Sequence, residues 1–76
     1  MEIFPGISMD PAIRFGKPCL TGTRIDVGTV LGELAAGETI EAIEDAHQLS
    51  RQQVFDALAF AAHIAAHLPP AVRRAS

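Results

Sequence analysis

The sequence contains no tryptophan, no tyrosine and only four phenylalanines among its 76 residues. Its 49% hydrophobic content must therefore build a core from Ala, Ile, Leu and Val with those few Phe rings. Alanine contributes little area per residue, an alphabet suited to helices packed closely together. A single cysteine, Cys19, excludes an internal disulfide and points to a reducing compartment, the cytoplasm. No signal peptide or twin-arginine run is visible. The longest apolar stretch, "ALAFAAHIAAHL" from Ala57 to Leu68, is interrupted by His63 and His67. It falls short of the ~20 residues a spanning helix needs, so no membrane association is expected.

Acidic charge exceeds basic, with a net of −3, but its distribution says more than its sum. Residues 1–25 carry +1, residues 26–56 carry −6, and the last twenty add Arg73 and Arg74. The acidic middle repels phosphate, whereas the two basic ends can attract phosphate or an acidic protein surface. A chain of this length makes one domain and buries only about 60% of its unfolded surface, so association is expected to complete the core.

Punctuation divides the chain. Pro5, Gly6, Pro11, Gly16, Pro18 and Gly22 are spaced too closely for a helix to propagate, which makes residues 1–25 a strand-and-turn segment. Within it, "GKPCLTGTR" reads as a β-hairpin: Pro18 at a strand start, Thr21-Gly22 in the turn, and Thr23 to Ile25 returning. From Asp26 the period becomes helical. Val27, Val30, Leu31 and Leu34 recur at i, i+3, i+4 and i+7 between an Asp26 N-cap and a Gly37 stop. Thr39 caps a second, short helix through Ile40 and Ile43. Ser50 and Gln53 form a capping box for a third that begins at Arg51 and runs towards Leu68, with Leu49 and Val54 as its hydrophobic staple.

On that third helix Val54, Leu58, Ala61, Ala65 and Leu68 form a stripe, widened by Phe60 and Ile64 on one side and by Phe55 and Ala62 on the other. The arc is broader than two short helices can cover. Phe55, Leu58, Phe60, Ile64 and Leu68 are accordingly assigned to a homodimer or higher oligomer. The expected fold is mostly α. A short N-terminal β-hairpin precedes a three-helix helix-turn-helix, homeodomain-like or winged-helix-like, in a dimer. The boundaries are 1–25 for the strand and turn segment, 26–68 for the three-helix bundle and 69–76 for a flexible tail, all in one domain.

The exposed first turn of the third helix offers Arg51, Gln52 and Gln53, residue types that bond guanine, adenine or phosphate. The plainer alternative is a solvated first turn with Gln53 engaged in its capping box. Lys17 and Arg24 supply further positive charge, directed at DNA, at a partner or at the chain's own carboxylates. Catalytic patterns are missing. Gly16-Lys17 has Pro11 and Pro18 where a phosphate-binding loop needs Gly and Ser or Thr. Cys19 has no nearby base, all three histidines lying at or beyond residue 47, and reads as a small buried hydrophobe. His63 and His67 have zinc spacing at i, i+4 but no third ligand and no following Glu, and read as a solvated stripe. No catalytic residue, metal or cofactor is assigned.

Residues 9–61 resemble a bacterial family catalogued as domain of unknown function 433. The likeness is carried by Asp10-Pro11, Gly16-Lys17-Pro18, Gly22-Thr23-Arg24-Ile25, a helix ending at Gly37, and the apolar series Ile40, Ile43, Leu49, Val54 and Leu58. Two positions depart from its pattern. Phe15 stands where a small residue, often Gly, is common, which bears on the turn before Lys17. His47-Gln48 replaces an aromatic-proline, which is expected to loosen the turn between the second and third helices. The resemblance implies a small DNA-binding-like fold, usually dimeric, acting as the VapB-type antitoxin of a PIN-like ribonuclease and repressing the operon they share. It also implies a way to inhibit: PIN-type nucleases hold divalent metal with clustered carboxylates, and a guanidinium from Arg73 or Arg74 on the Pro-led tail would form charge-assisted bonds there. A frayed basic terminus is the alternative for that tail. The competing function is a protein-interaction or dimerisation module with no nucleic-acid role.

Overall fold

The computed structural model describes residues 1–69. Three short strands precede three helices: β1 (Glu2–Phe4), β2 (Ile7–Ser8), β3 (Cys19–Leu20), α1 (Val27–Ala35), α2 (Ile40–His47) and α3 (Arg51–Ala66). The strands form an antiparallel sheet in the order β1-β2-β3, with Phe4 opposite Ile7, Ile7 opposite Leu20 and Ser8 opposite Cys19. Pro5 and Gly6 close the β1–β2 hairpin. Pro supplies the second turn position and Gly6, at φ +80°, the third, the pattern of a type II turn. A Cβ on Gly6 would also run into the Asp56 carboxyl, whose Cγ is 2.7 Å away.

The hairpin expected at residues 16–25 is present in reduced form, as an antiparallel bridge between Cys19 and Asp26 around the Thr21-Gly22 turn. β3 pairs with β2 along its other edge, and residues 23–25 form no strand of their own. The Leu20 amide donates to the Ile25 carbonyl, the Thr23 amide to the Leu20 carbonyl and the Val27 amide to the Pro18 carbonyl. Gly22 takes φ +81° as expected. The sheet extends to β2 because Ile7 and Leu20 bury each other as cross-strand neighbours, both fully out of solvent.

The helices begin where local rules place them. Asp26, Thr39 and Ser50 each accept a hydrogen bond from the amide three residues on, and the Ser50–Gln53 box is closed in both directions. α1 ends in a Schellman motif, with Gly37 at φ +98° and the Glu38 amide donating to the Glu33 carbonyl. The α2–α3 turn is firmer than the His47-Gln48 pair suggests. Gln48 adopts the left-handed conformation at φ 57°, its side-chain amide donates to the Asp45 carbonyl, and His47 Nε2 lies 2.9 and 3.0 Å from the two Glu33 oxygens. Those contacts clamp α2 to α1.

The core is small and aliphatic: Ile7, Leu20, Val27, Val30, Ile43, Leu49, Val54 and Ala57, with Phe4 and Phe60 packed at its edge. α3 meets it through Val54 and Ala57, so the stripe expected through Leu58 and Ala65 is rotated. The buried line runs Val54–Ala57, continues through the half-buried Phe60 and Ala61, and then stops. Ala57 fits against the other helices because it is small, a quality that hydrophobic weighting does not register. α3 also ends at Ala66, one turn before Pro69, with His67 capping it and Leu68 outside.

Candidate functional site

Three surfaces hold every side chain the sequence singled out within the described residues. The first is the loop between β2 and α1. Asp10 starts it, its carboxylate accepting from the Ala12 amide at 2.9 Å and its carbonyl from the Ile13 amide. The chain then makes one left-handed turn, with φ of 51° at Arg14, 58° at Phe15 and 83° at Gly16. Gly tolerates this, but an L-residue in that region is disfavoured by roughly 1–2 kcal/mol. Two backbone bonds hold the turn, Gly16 to Ile13 and Lys17 to Arg14, and the Arg14 guanidinium reaches Asp26 Oδ1 at 3.3 Å.

Asp26 is the junction of this region. It is the one buried charged side chain among the described residues, and it caps α1 while receiving bonds from the Thr29 amide, the Thr29 hydroxyl at 2.9 Å and Arg14. Burial alone would push its carboxyl up. The Thr29 hydrogen bonds and the Arg14 guanidinium outweigh that and leave it below the usual carboxylate range. Cys19 bridges Asp26 through the backbone, and its buried thiol is pushed up by desolvation and then by the Asp26 charge. It is protonated and unreactive at neutral pH.

Lys17 and Arg24 belong to the same region. Both are exposed, and neither forms an ion pair among the described residues. Arg24, Ile13, Cys19, Leu20, Thr23 and Ser8 line a cleft of about 420 Å³, open at one side.

The second surface is the α2–α3 corner, where Arg51, Gln52 and Gln53 were expected to meet DNA. Each has a partner within the chain. Arg51 donates to Glu41 Oε2 at 2.6 Å, approaches Glu44 Oε2 at 3.7 Å and lies 5.8 Å over the Phe55 ring. Gln52 donates to Asp56, and Gln53 closes the capping box. Glu41 is held below its ordinary value by its own amide and by Arg51.

The third surface is the outer half of α3. Phe55, Leu58, Ile64 and Leu68 are exposed, Leu68 to 63%. Phe60 is not free in the same way, because it tilts against Phe4 with ring centroids 5.5 Å apart. His63 stacks on Phe4 at 5.1 Å and on His67 at 4.1 Å, so this pair is part of an aromatic strip. Among the described residues no three His, Cys, Asp or Glu side chains gather as a metal site. No described helix is long and apolar enough to cross a membrane. Arg73 and Arg74, the expected toxin-binding residues, lie outside the described residues.

Most of the residues just described fall within the stretch of residues 7–61 that matches a family model, "Protein of unknown function (DUF433)"; Phe4 and the residues after Ala61 lie outside it. The chain belongs to the DUF433 family. A relative from Mycobacterium tuberculosis (strain ATCC 25618 / H37Rv), named "Putative antitoxin VapB45", is 36% identical over 52 residues, which are 68% of this chain and 22% of that protein. The crystal structure of Rv2018 from Mycobacterium tuberculosis superposes with a TM-score of 0.63 at 36% identity, covering 68% of this chain and 24% of the other. This DUF433 chain thus spans less than a quarter of the length of the relatives it matches. Neither the left-handed turn at Arg14–Gly16 nor the Asp26 junction was anticipated from sequence. The available signal for the turn is the Gly16 at its end, which takes positive φ without strain; for Asp26 the sequence signals only the N-cap.

Proposed function

We propose that this DUF433 chain is a VapB-type antitoxin, a non-enzymatic protein that binds and neutralises a PIN-like ribonuclease and represses their shared operon. The observation that carries the reading is the 36% identity, over 52 residues, to the relative named as an antitoxin. Toxin contact falls to the basic ends of the chain, including Arg73 and Arg74, whose guanidinium groups suit a carboxylate-lined metal centre. Self-association falls to Phe55, Leu58, Ile64 and Leu68, with Phe60 at the margin. An exposed apolar face of this kind on α3 is what a second copy would cover.

DNA contact rests more on Lys17 and Arg24 than on the first turn of α3, because the latter's polar groups already have partners. That observation favours one second reading: a protein-interaction and dimerisation module with no nucleic-acid role. Two measurements separate them. Purified chain should abolish the ribonuclease activity of the PIN-like protein encoded beside it. Binding of the promoter fragment, alone and with that protein, should weaken steeply between 50 and 200 mM salt. Inhibition without any promoter shift at low salt would leave the interaction module standing.

A further inference from the structure

We propose that Phe15 is the anchor of the toxin-binding surface, a ring presented by the left-handed turn and seated in an apolar pocket rimmed by carboxylates on that partner protein. The proposal rests on the antitoxin reading and names a residue that sets which toxin is recognised.

Phe15 is 98% exposed, the most exposed large apolar side chain among the described residues. It is also held at φ 58° and ψ 32°, a conformation a bulky residue rarely adopts, immediately after Arg14 at φ 51°. A glycine would fit there without strain, and the ring touches nothing that would repay its presence in the isolated chain. Strain of this kind persists where surrounding bonds enforce it, and it clusters at ligand clamps. Here the enforcing bonds are the Asp10–Ile13 and Arg14–Lys17 backbone closures and the Arg14–Asp26 ion pair. The ring is thereby presented on a fixed turn, which lowers the ordering cost of docking.

Charge defines the partner's rim. Arg14 is paired with Asp26, and Asp10 lines the cleft beside Arg24. That leaves Lys17 and Arg24 as the cations near the ring without an ion pair among the described residues, and a partner docked there competes with DNA for them. Ile13, the first residue of the turn, also lines the cleft that ends at Arg24, so a projecting ring, a recess and unpaired cations share one region. A second copy of this chain fits less well as the occupant. Its large exposed apolar face is elsewhere, on α3.

The test measures binding of the purified PIN-like protein encoded beside this chain to wild type, Phe15→Gly and Phe15→Leu. Phe15→Gly should melt no lower than wild type yet bind roughly 30-fold more weakly or worse, the effect of truncating an interface anchor. Phe15→Leu, which keeps apolar bulk, should fall between the two. If wild type binds and Phe15→Gly binds within twofold of it, the anchor is refuted while the antitoxin reading survives. If wild type itself does not bind, both fall. A Phe15→Gly variant that changes only the sedimenting size of the free chain would assign the ring to self-association and overturn the proposal.

Discussion

The two halves of this chain are held in different ways. From Asp26 onward, each helix start is set by a residue and the amide three positions later, and apolar side chains at helical spacing do the rest. Before Asp26, local turns are joined by contacts between distant residues. Ile7 meets Leu20 across 13 residues, Ser8 shares a 2.7 Å hydrogen bond with Thr21, and Arg14 reaches Asp26. The helical half is thus robust to single polar changes and sensitive to loss of core volume. The N-terminal half depends in addition on contacts between residues far apart in sequence, one of which joins Arg14 to the buried Asp26 carboxylate.

The sharpest way to break the helical half is to empty its centre. Ile43 is fully buried where α2 faces the rest of the core, so Ile43→Ala should cost about 2–5 kcal/mol. In a domain this small that lowers Tm by more than 10 °C or prevents folding, as thermal or urea unfolding at fixed protein concentration will read.

Asp26 tests the N-terminal half. Asp26→Ala removes the α1 cap and leaves Arg14 without its carboxylate, an expected loss of about 1–2 kcal/mol. Asp26→Asn should retain most of the cap and lose the ion pair. The pH dependence follows from the direction of the Asp26 shift. Its carboxyl titrates lower in the folded chain than in the unfolded one, so its contribution is fully present above about pH 4 and is lost as pH falls through the folded value. Urea midpoints between pH 3 and 6 should fall less steeply on acidification for Asp26→Asn than for wild type. A parallel fall in both would remove Asp26 as the acid-sensitive junction.

A cap in the helical half should cost less. Ser50→Ala removes a single accepted hydrogen bond at the start of α3 and should destabilise by about 1 kcal/mol, with little effect on acid sensitivity. The contrast with Asp26→Ala is therefore as much one of pH profile as of magnitude.

This division also explains what could be read from sequence. The caps at Asp26, Thr39 and Ser50, the Gly37 stop and the Leu49–Val54 staple are short-range patterns, and they stand where they were expected. The pairing of β3 with β2 could not be read, because it rests on Ile7 and Leu20 meeting across 13 residues and being buried under helices that come later in the chain. The rotation of α3 was misjudged for a related reason. Ala57 occupies the tightest part of the core because it is small, and Leu58, the more hydrophobic residue, faces outward. At the α3 corner Gln53 closes the expected capping box, whereas the acidic residues of α2, expected to repel phosphate, act as direct partners of Arg51.

Arg51 is where that last distinction can be measured, with the smallest effect on stability. Its pair with Glu41 is exposed on both sides and screened by solvent, so Arg51→Ala should leave the urea midpoint close to that of wild type. Its consequence for promoter binding depends on what the guanidinium does in the complex. If Arg51 stays with Glu41, Arg51→Ala leaves the salt dependence of binding unchanged. If it moves to a phosphate, the slope of log affinity against log salt should fall by about one, and Glu41→Gln, which weakens the competing partner, should raise affinity. The close contact to Glu41, reinforced by Glu44, predicts the first outcome: promoter affinity that is insensitive to Arg51 and carried by Lys17 and Arg24.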